Sequence, residues 1–243
     1  MKSTSNPRFS GKVIFVAGGT GALGRAVSQA FLDEGATVVI THRRPEELDT
    51  LAEAAAADRS RLHGHRVDVT DETATVQLVR QIFEQHQRLD ALVNTVGGYA
   101  GGEKLWEVDP KVFEHLLDLN LRSGYVLSRA AVPAMLSQGY GVIVNIAARA
   151  GVEPAAGVAA YAASKAAALA LMRSLAAEVA GLGVRVNSVL PSIIDTAANR
   201  RAMPKANYAK WPKPEEIARV ILFLCSDEAR LIHGASIPVY GDS

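Results

Sequence analysis

The stretch VAGGTGALGRA, residues 16–26, decides how the rest of the chain is read. It completes an apolar run, KVIFVAG (12–18), and from Ala22 the apolar positions recur at helical spacing to about Glu34. Gly18, Gly21 and Gly24 fall where the strand pattern gives way to the helix pattern. Glycine there lets the main chain turn tightly and come close to a ligand, while a helix N-terminus offers unpaired N–H groups and a partial positive charge. Strand, glycine-rich turn and helix in that order suit a dinucleotide pyrophosphate. We read Gly18, Thr20, Gly21, Ala22, Leu23 and Gly24 as the phosphate end of a nicotinamide dinucleotide site.

Working outward, short apolar runs alternate with amphipathic segments. After ATVVIT (36–41) comes a helix near 45–57; after GHRVDV (64–69), one near 71–87; after DALVNTV (90–96), a helical region over about 111–138. GVIVNIA (141–147), a helix near 158–181, VRVNSVL (184–190), a helix near 214–226 and ASIPVYG (235–241) complete the series. Seven strand patterns interleaved with helices predict an α/β, Rossmann-type, doubly wound parallel sheet flanked by helices, in a single dinucleotide-binding oxidoreductase domain over 1–243. Gly35, Gly181 and Gly183 stand just past helix ends, and Asp109 before Pro110 reads as a helix start. Residues 191–213 lack a regular pattern and are too long for an ordinary connection, so they are expected to form a substrate lid.

The totals agree with a globular protein: 243 residues, 49% hydrophobic, with 26 basic and 25 acidic residues. That balance gives no bulk field for nucleic acid or a membrane surface, and no apolar run is long enough for a bilayer. A soluble, cytoplasmic protein acting on a small molecule is expected. The one cysteine, Cys225, lies in the apolar run VILFLCS and reads as a buried thiol. His63 and His65 alternate on a strand without further ligands at metal spacing, so no metal is expected and both are read as solvent-facing.

The end of the second strand selects the cofactor, because an acid there would bond the ribose hydroxyls and repel a 2′-phosphate. This chain carries His42, Arg43 and Arg44 instead, and guanidinium groups suit a phosphate. NADP(H) is favoured, with NAD(H) as the alternative. Asp68, after the third strand, reads equally as an acceptor for the adenine amino group or as a helix N-cap.

Tyr161 and Lys165 lie four apart and share a helix face, so both can reach one substrate atom. An ammonium beside a phenol is expected to lower the phenol pKa and make it a usable acid. With these residues in register, the sequence resembles the short-chain dehydrogenase/reductase family along essentially its whole length. The resemblance rests on GGTGALG, DVTD, LVNTVGG, NLRSG, YAASK and PSIIDT. It implies a proton donor at Tyr161, a ribose-binding and tuning lysine at Lys165, and a water-holding Asn120. It also implies cofactor contacts from Asp68, Val69, Asn94, Val96, Gly97, Pro191, Ile194 and Thr196, and assembly as a homodimer or homotetramer through the helices near 111–137 and 158–181.

One departure sets a problem. The hydroxyl that this family places thirteen residues before its tyrosine is Ala148 here, preceded by Ala147. Losing one donor to a developing oxyanion costs on the order of 10²–10³ in rate. Arg149 or Ser192 could replace it, or the acceptor could be electrophilic enough to do without. A narrower resemblance, to the quinonoid dihydropteridine reductase branch, favours the latter: that branch also carries alanine there. The matching features are GGYAGG (97–102), AARAG (147–151) and the lid. It implies a conjugated imine as hydride acceptor. Tyr99 and Trp211 read equally as aromatics that could stack on a planar ring or as ordinary packing side chains. The alternatives are NADPH-dependent reduction of another activated ketone, imine or quinone, and a catalytically silent NADP-binding regulator.

Overall fold

The structure, a computed structural model, describes residues 7–242. Seven strands form one parallel sheet: β1 (Val13–Ala17), β2 (Thr37–His42), β3 (Leu62–Arg66), β4 (Ala91–Asn94), β5 (Gly141–Ile146), β6 (Val184–Pro191) and β7 (Ser236–Val239). Their spatial order is β3-β2-β1-β4-β5-β6-β7, with every neighbouring pair parallel. The helices are α1 (Ala22–Asp33), α2 (Pro45–Ala54), α3 (Glu72–His86), α4 (Pro110–Leu117), α5 (Ser123–Gln138), α6 (Ala159–Glu178), α7 (Ala197–Ala202) and α8 (Pro214–Cys225). The expected Rossmann-type architecture is the observed one.

Strand β1 shows why its sequence is apolar throughout rather than alternating. Its residues point by turns to opposite faces, and each face is covered by helices. Ile14 and Val16 join Val27 and Phe31 of α1 and Ile217 and Ile221 of α8 on one side. Phe15 and Ala17 join Leu78 of α3, Leu127 of α5 and Met172 of α6 on the other. Successive strands are laid down outward to one side of β1 and then, from β4, to the other, and at such a switch point the carboxyl ends of the strands open a crevice.

The opposite, amino-terminal edge is pinned by charge. Asp90 accepts from the Val13 N–H at 2.8 Å and is paired with Arg88 at 2.6 Å and Lys12 at 3.4 Å. Gly35, Gly181 and Gly183 have φ of 88°, 77° and 82°, the left-handed conformation expected just past helix ends. Asp109 caps α4 by accepting from the Lys111 N–H.

Several elements differ from the sequence reading: α2 stops at Ala54, and the 191–213 stretch contains α7. The third strand starts at Leu62 and stops at Arg66, because beyond it Asp68 turns the chain by accepting from the Thr70 N–H and hydroxyl, at 3.0 and 2.8 Å. The helical region over 111–138 is two helices joined by a π turn, Asp118–Arg122. The extra residue of that turn brings Asn120 inward.

Candidate active site

The glycine-rich turn is shaped by contacts that glycine alone permits. Gly18 has φ 75°, and a Cβ on Gly24 would stand 2.1 Å from the Gly18 carbonyl oxygen. Two threonines fix the same turn: Thr41, on β2, accepts from the Gly18 N–H at 2.9 Å, and Thr95 donates to the Ala17 carbonyl at 2.7 Å. The turn forms the floor of a groove of about 230 Å³ at the carboxyl ends of the strands. Of the expected cofactor residues, Gly18, Thr20, Gly21, His42, Arg43, Asp68, Val69, Val96 and Gly97 line it.

Others do not. Arg44 is absent from the lining and is ion-paired with Glu47, which does line it. Asp68 is not the helix N-cap; Asp71 is, accepting from the Ala74 N–H. Asn94 works as a brace, donating to Asn145 of β5 at 2.9 Å and accepting from the Val96 N–H at 3.1 Å. Thr196 caps α7 by accepting from the Asn199 N–H, and Pro191 ends β6. Ile194 packs against the core cluster that includes α1 and α8. Ala22 and Leu23 open α1, where Leu23 is buried.

Gly97 connects the groove to the Tyr161 region. A Cβ there would lie 3.0 Å from the Lys165 Nζ and 2.9 Å from the Asn120 Oδ1. Lys165 is 4% exposed and donates to the Ile146 carbonyl at 3.0 Å. Burial pulls its pKa down to about 8. Burial also pushes the Tyr161 phenol up to about 12, with Tyr99 adding to the rise. The depression expected from the lysine is not what the phenol experiences: burial, which penalises the phenolate, sets the direction.

Asn120 is tied to protein groups rather than facing open solvent. It donates to the Gly98 carbonyl and to Ser164 Oγ, both at 3.0 Å, and accepts from the Gly98 N–H at 2.9 Å. Ser164 in turn donates to the Tyr161 carbonyl at 2.7 Å.

Ala148 is 7% exposed, and the two candidate substitutes for its missing hydroxyl are committed elsewhere. Arg149 is ion-paired with Glu153 at 2.6 Å and lies over the Tyr240 ring at 4.9 Å. Ser192 donates to the Tyr240 carbonyl at 2.6 Å. Tyr99 does reach the site: its ring stands edge-on to Tyr161 at 5.0 Å and is 68% exposed. Trp211 is buried and packs against Tyr208, so it is not a free stacking surface. The segment 191–213 holds α7 and an Asp195–Arg200 ion pair, with Tyr208 donating to the Arg200 carbonyl.

His63 and His65 are half-buried rather than solvent-facing, and His63 packs on His86. Among the described residues no cluster of three His, Cys, Asp or Glu could hold a metal ion. Cys225 is buried, its thiol pushed up to about 12.

Residues 12–207 match the family described as short chain dehydrogenase. The chain is a short-chain dehydrogenase. The 3-oxoacyl-[acyl-carrier-protein] reductase FabG of Thermotoga maritima is 31% identical over 242 residues, covering 96% of this chain and 98% of its own. Meso-2,3-butanediol dehydrogenase of Serratia marcescens is 33% identical, covering 96% and 95%. A short-chain type dehydrogenase/reductase from Mycobacterium ulcerans superposes with a TM-score of 0.91 at 26% identity, covering 96% and 90%. These named relatives differ from the dihydropteridine reductase branch expected from the sequence. Among the described residues of this short-chain dehydrogenase, no helix is long and apolar enough to cross a membrane.

Proposed function

We propose that the protein is an NADP(H)-dependent reductase of an activated ketone, imine or quinone. The observation that carries this reading is the pairing of a protonated, half-buried Tyr161 with a site lacking a hydroxyl at Ala148, for which the candidate replacements Arg149 and Ser192 are engaged elsewhere. The glycine-shaped groove supports a dinucleotide reading, in which Gly18, Thr20 and Gly21 would meet the phosphates and His42 and Arg43 the ribose end. NADP(H) bound there would supply the hydride.

The chain's own residues would manage the proton. Tyr161 keeps its proton across the neutral range and would give it to the oxygen or nitrogen that gains negative charge. Lys165 places an ammonium beside Gly97, where it would bind the ribose and offset the phenolate formed after transfer. Tyr99 would form one wall for a flat acceptor. Without a donor at Ala148 the acceptor must already be electrophilic, because little else polarises it. The names of the relatives, a 3-oxoacyl-[acyl-carrier-protein] reductase and a meso-2,3-butanediol dehydrogenase, favour carbonyl and alcohol chemistry over a pterin.

The test is initial-rate oxidation of NADPH and NADH against a panel of simple ketones, 1,2-diketones, quinones, cyclic imines and quinonoid dihydropterin. Turnover is expected with the activated acceptors and to fall by about 10² or more in Tyr161→Phe. Ala148→Ser is expected to raise activity on simple ketones. Equal rates on simple and activated ketones in the unmodified enzyme would overturn the reading.

A further inference from the structure

Three basic residues follow one another at the end of β2, yet they are not equivalent in the folded chain. Arg43 lines the groove and makes no hydrogen bond or ion pair among the described residues, its charge being felt by Asp68. Arg44 is held by Glu47, with its Nε 2.9 Å from Glu47 Oε1 and its Nη2 bonded to the same oxygen. The other carboxylate oxygen of Glu47 accepts from Thr20 Oγ1 at 3.0 Å. Glu47 therefore spans the mouth of the groove, from the first turn of α2 to the glycine-rich turn. It lines that groove itself, with 21% of its side chain exposed. The Arg44 guanidinium holds its carboxyl below the usual carboxylate range, so it is an anion at neutral pH.

We propose that Glu47 sets the discrimination between NADP(H) and NAD(H). The inference rests on reading this end of the groove as the adenosine end. A 2′-phosphate arriving there meets one uncommitted guanidinium, Arg43, together with a fixed carboxylate. Glu47 opposes it in three ways: by its own charge, by neutralising Arg44, and by taking the Thr20 hydroxyl proton that a phosphate oxygen could otherwise accept. A ribose bearing a free 2′-hydroxyl suffers none of these and can donate to the carboxylate. The acid missing from the end of β2 is thus supplied from the next helix, and the basic sequence HRR overstates the preference for a phosphate.

The experiment is calorimetric titration of NADP⁺ and NAD⁺ into the unmodified protein, Glu47→Gln, Glu47→Ala, Glu47→Asp and the double variant Glu47→Gln/Arg44→Ala, none of which requires the substrate. Glu47→Gln is expected to tighten NADP⁺ by about tenfold and to change NAD⁺ by less than about threefold. Glu47→Ala must shift the ratio the same way and serves if the glutamine variant does not fold. Glu47→Asp, which keeps the charge, is expected to hold the ratio within about twofold, and adding Arg44→Ala to Glu47→Gln to remove part of the gain. A ratio unchanged in both neutral variants, or both cofactors tightened equally, overturns the proposal. If the unmodified protein favours NAD⁺ while the neutral variants move toward NADP⁺, Glu47 keeps its role and the NADP(H) preference falls. If it favours NADP⁺ and the variants do not move, the reverse holds. If neither cofactor binds, both fall.

Discussion

Tyr161 and Lys165 are four residues apart on one helix, yet burial acts on them in opposite directions because it penalises whichever form is charged. The phenol moves up to about 12 and the ammonium down to about 8. As pH rises, Lys165 loses its proton long before Tyr161 does. The alkaline limb of kcat/KM for reduction is therefore expected near pH 8, set by loss of the lysine charge, and it should be read between about pH 6 and about pH 10. A profile flat to the top of that range would show that Lys165 keeps its charge. That Tyr161 and Lys165 share one helix was legible because helical periodicity runs through both positions. The engagement of both Arg149 and Ser192 with Tyr240 was not: Tyr240 lies 48 residues beyond Ser192, and only the local Arg149–Glu153 pair has a sequence spacing to announce it. Glu47 was missed for the same reason. Its partner Thr20 is 27 residues away, and only the docking of α2 on the glycine-rich turn brings the two together.

At the scale of elements, the strands and helices were legible wherever a sheet face or helix stripe had to be apolar. Among the exceptions were a turn and a bulge. β3 ended early because Asp68 bonds Thr70, and the long helix was interrupted at Asp118–Arg122 because a π turn is invisible to an amphipathic period. The glycine-rich turn was recognised from its order of elements, but which glycine is indispensable follows from contact. Gly24 lies against the Gly18 carbonyl, whereas a Cβ on Gly21 would find its nearest neighbour at 3.4 Å with φ already at −66°. Gly24→Ala is expected to cost about 1–3 kcal/mol, lowering Tm by roughly 2–12 °C, while Gly21→Ala shifts Tm by less than about 2 °C. Thermal unfolding by circular dichroism separates the two, and equal losses would show that the turn yields at Gly18 instead.

For the molecule as a whole, the sheet divides the labour between its two edges. Asp90, Arg88 and Lys12 clamp the amino-terminal side, and the groove, the Tyr161 region and the 191–213 segment share the other. Phe113 and Tyr125, on α4 and α5, leave apolar surface exposed at 38% and 45%. We expect those helices, with α6, to bury it between subunits in a homodimer or homotetramer. Sedimentation velocity at micromolar concentration should then give a mass at least twice that of one chain, and a monomer would overturn the expectation. Asn120 bears on time rather than space. By bonding the Gly98 N–H and carbonyl and the Ser164 hydroxyl, it couples a surface segment to α6. The Gly98 amide should exchange its hydrogen for deuterium at the slow pace of α6, hours after the residues from Gly101 to Glu107 have done so, and Asn120→Ala should let it exchange with them. A wall that opens only when the helix behind it opens would keep water from the reacting atoms for the whole of each turnover.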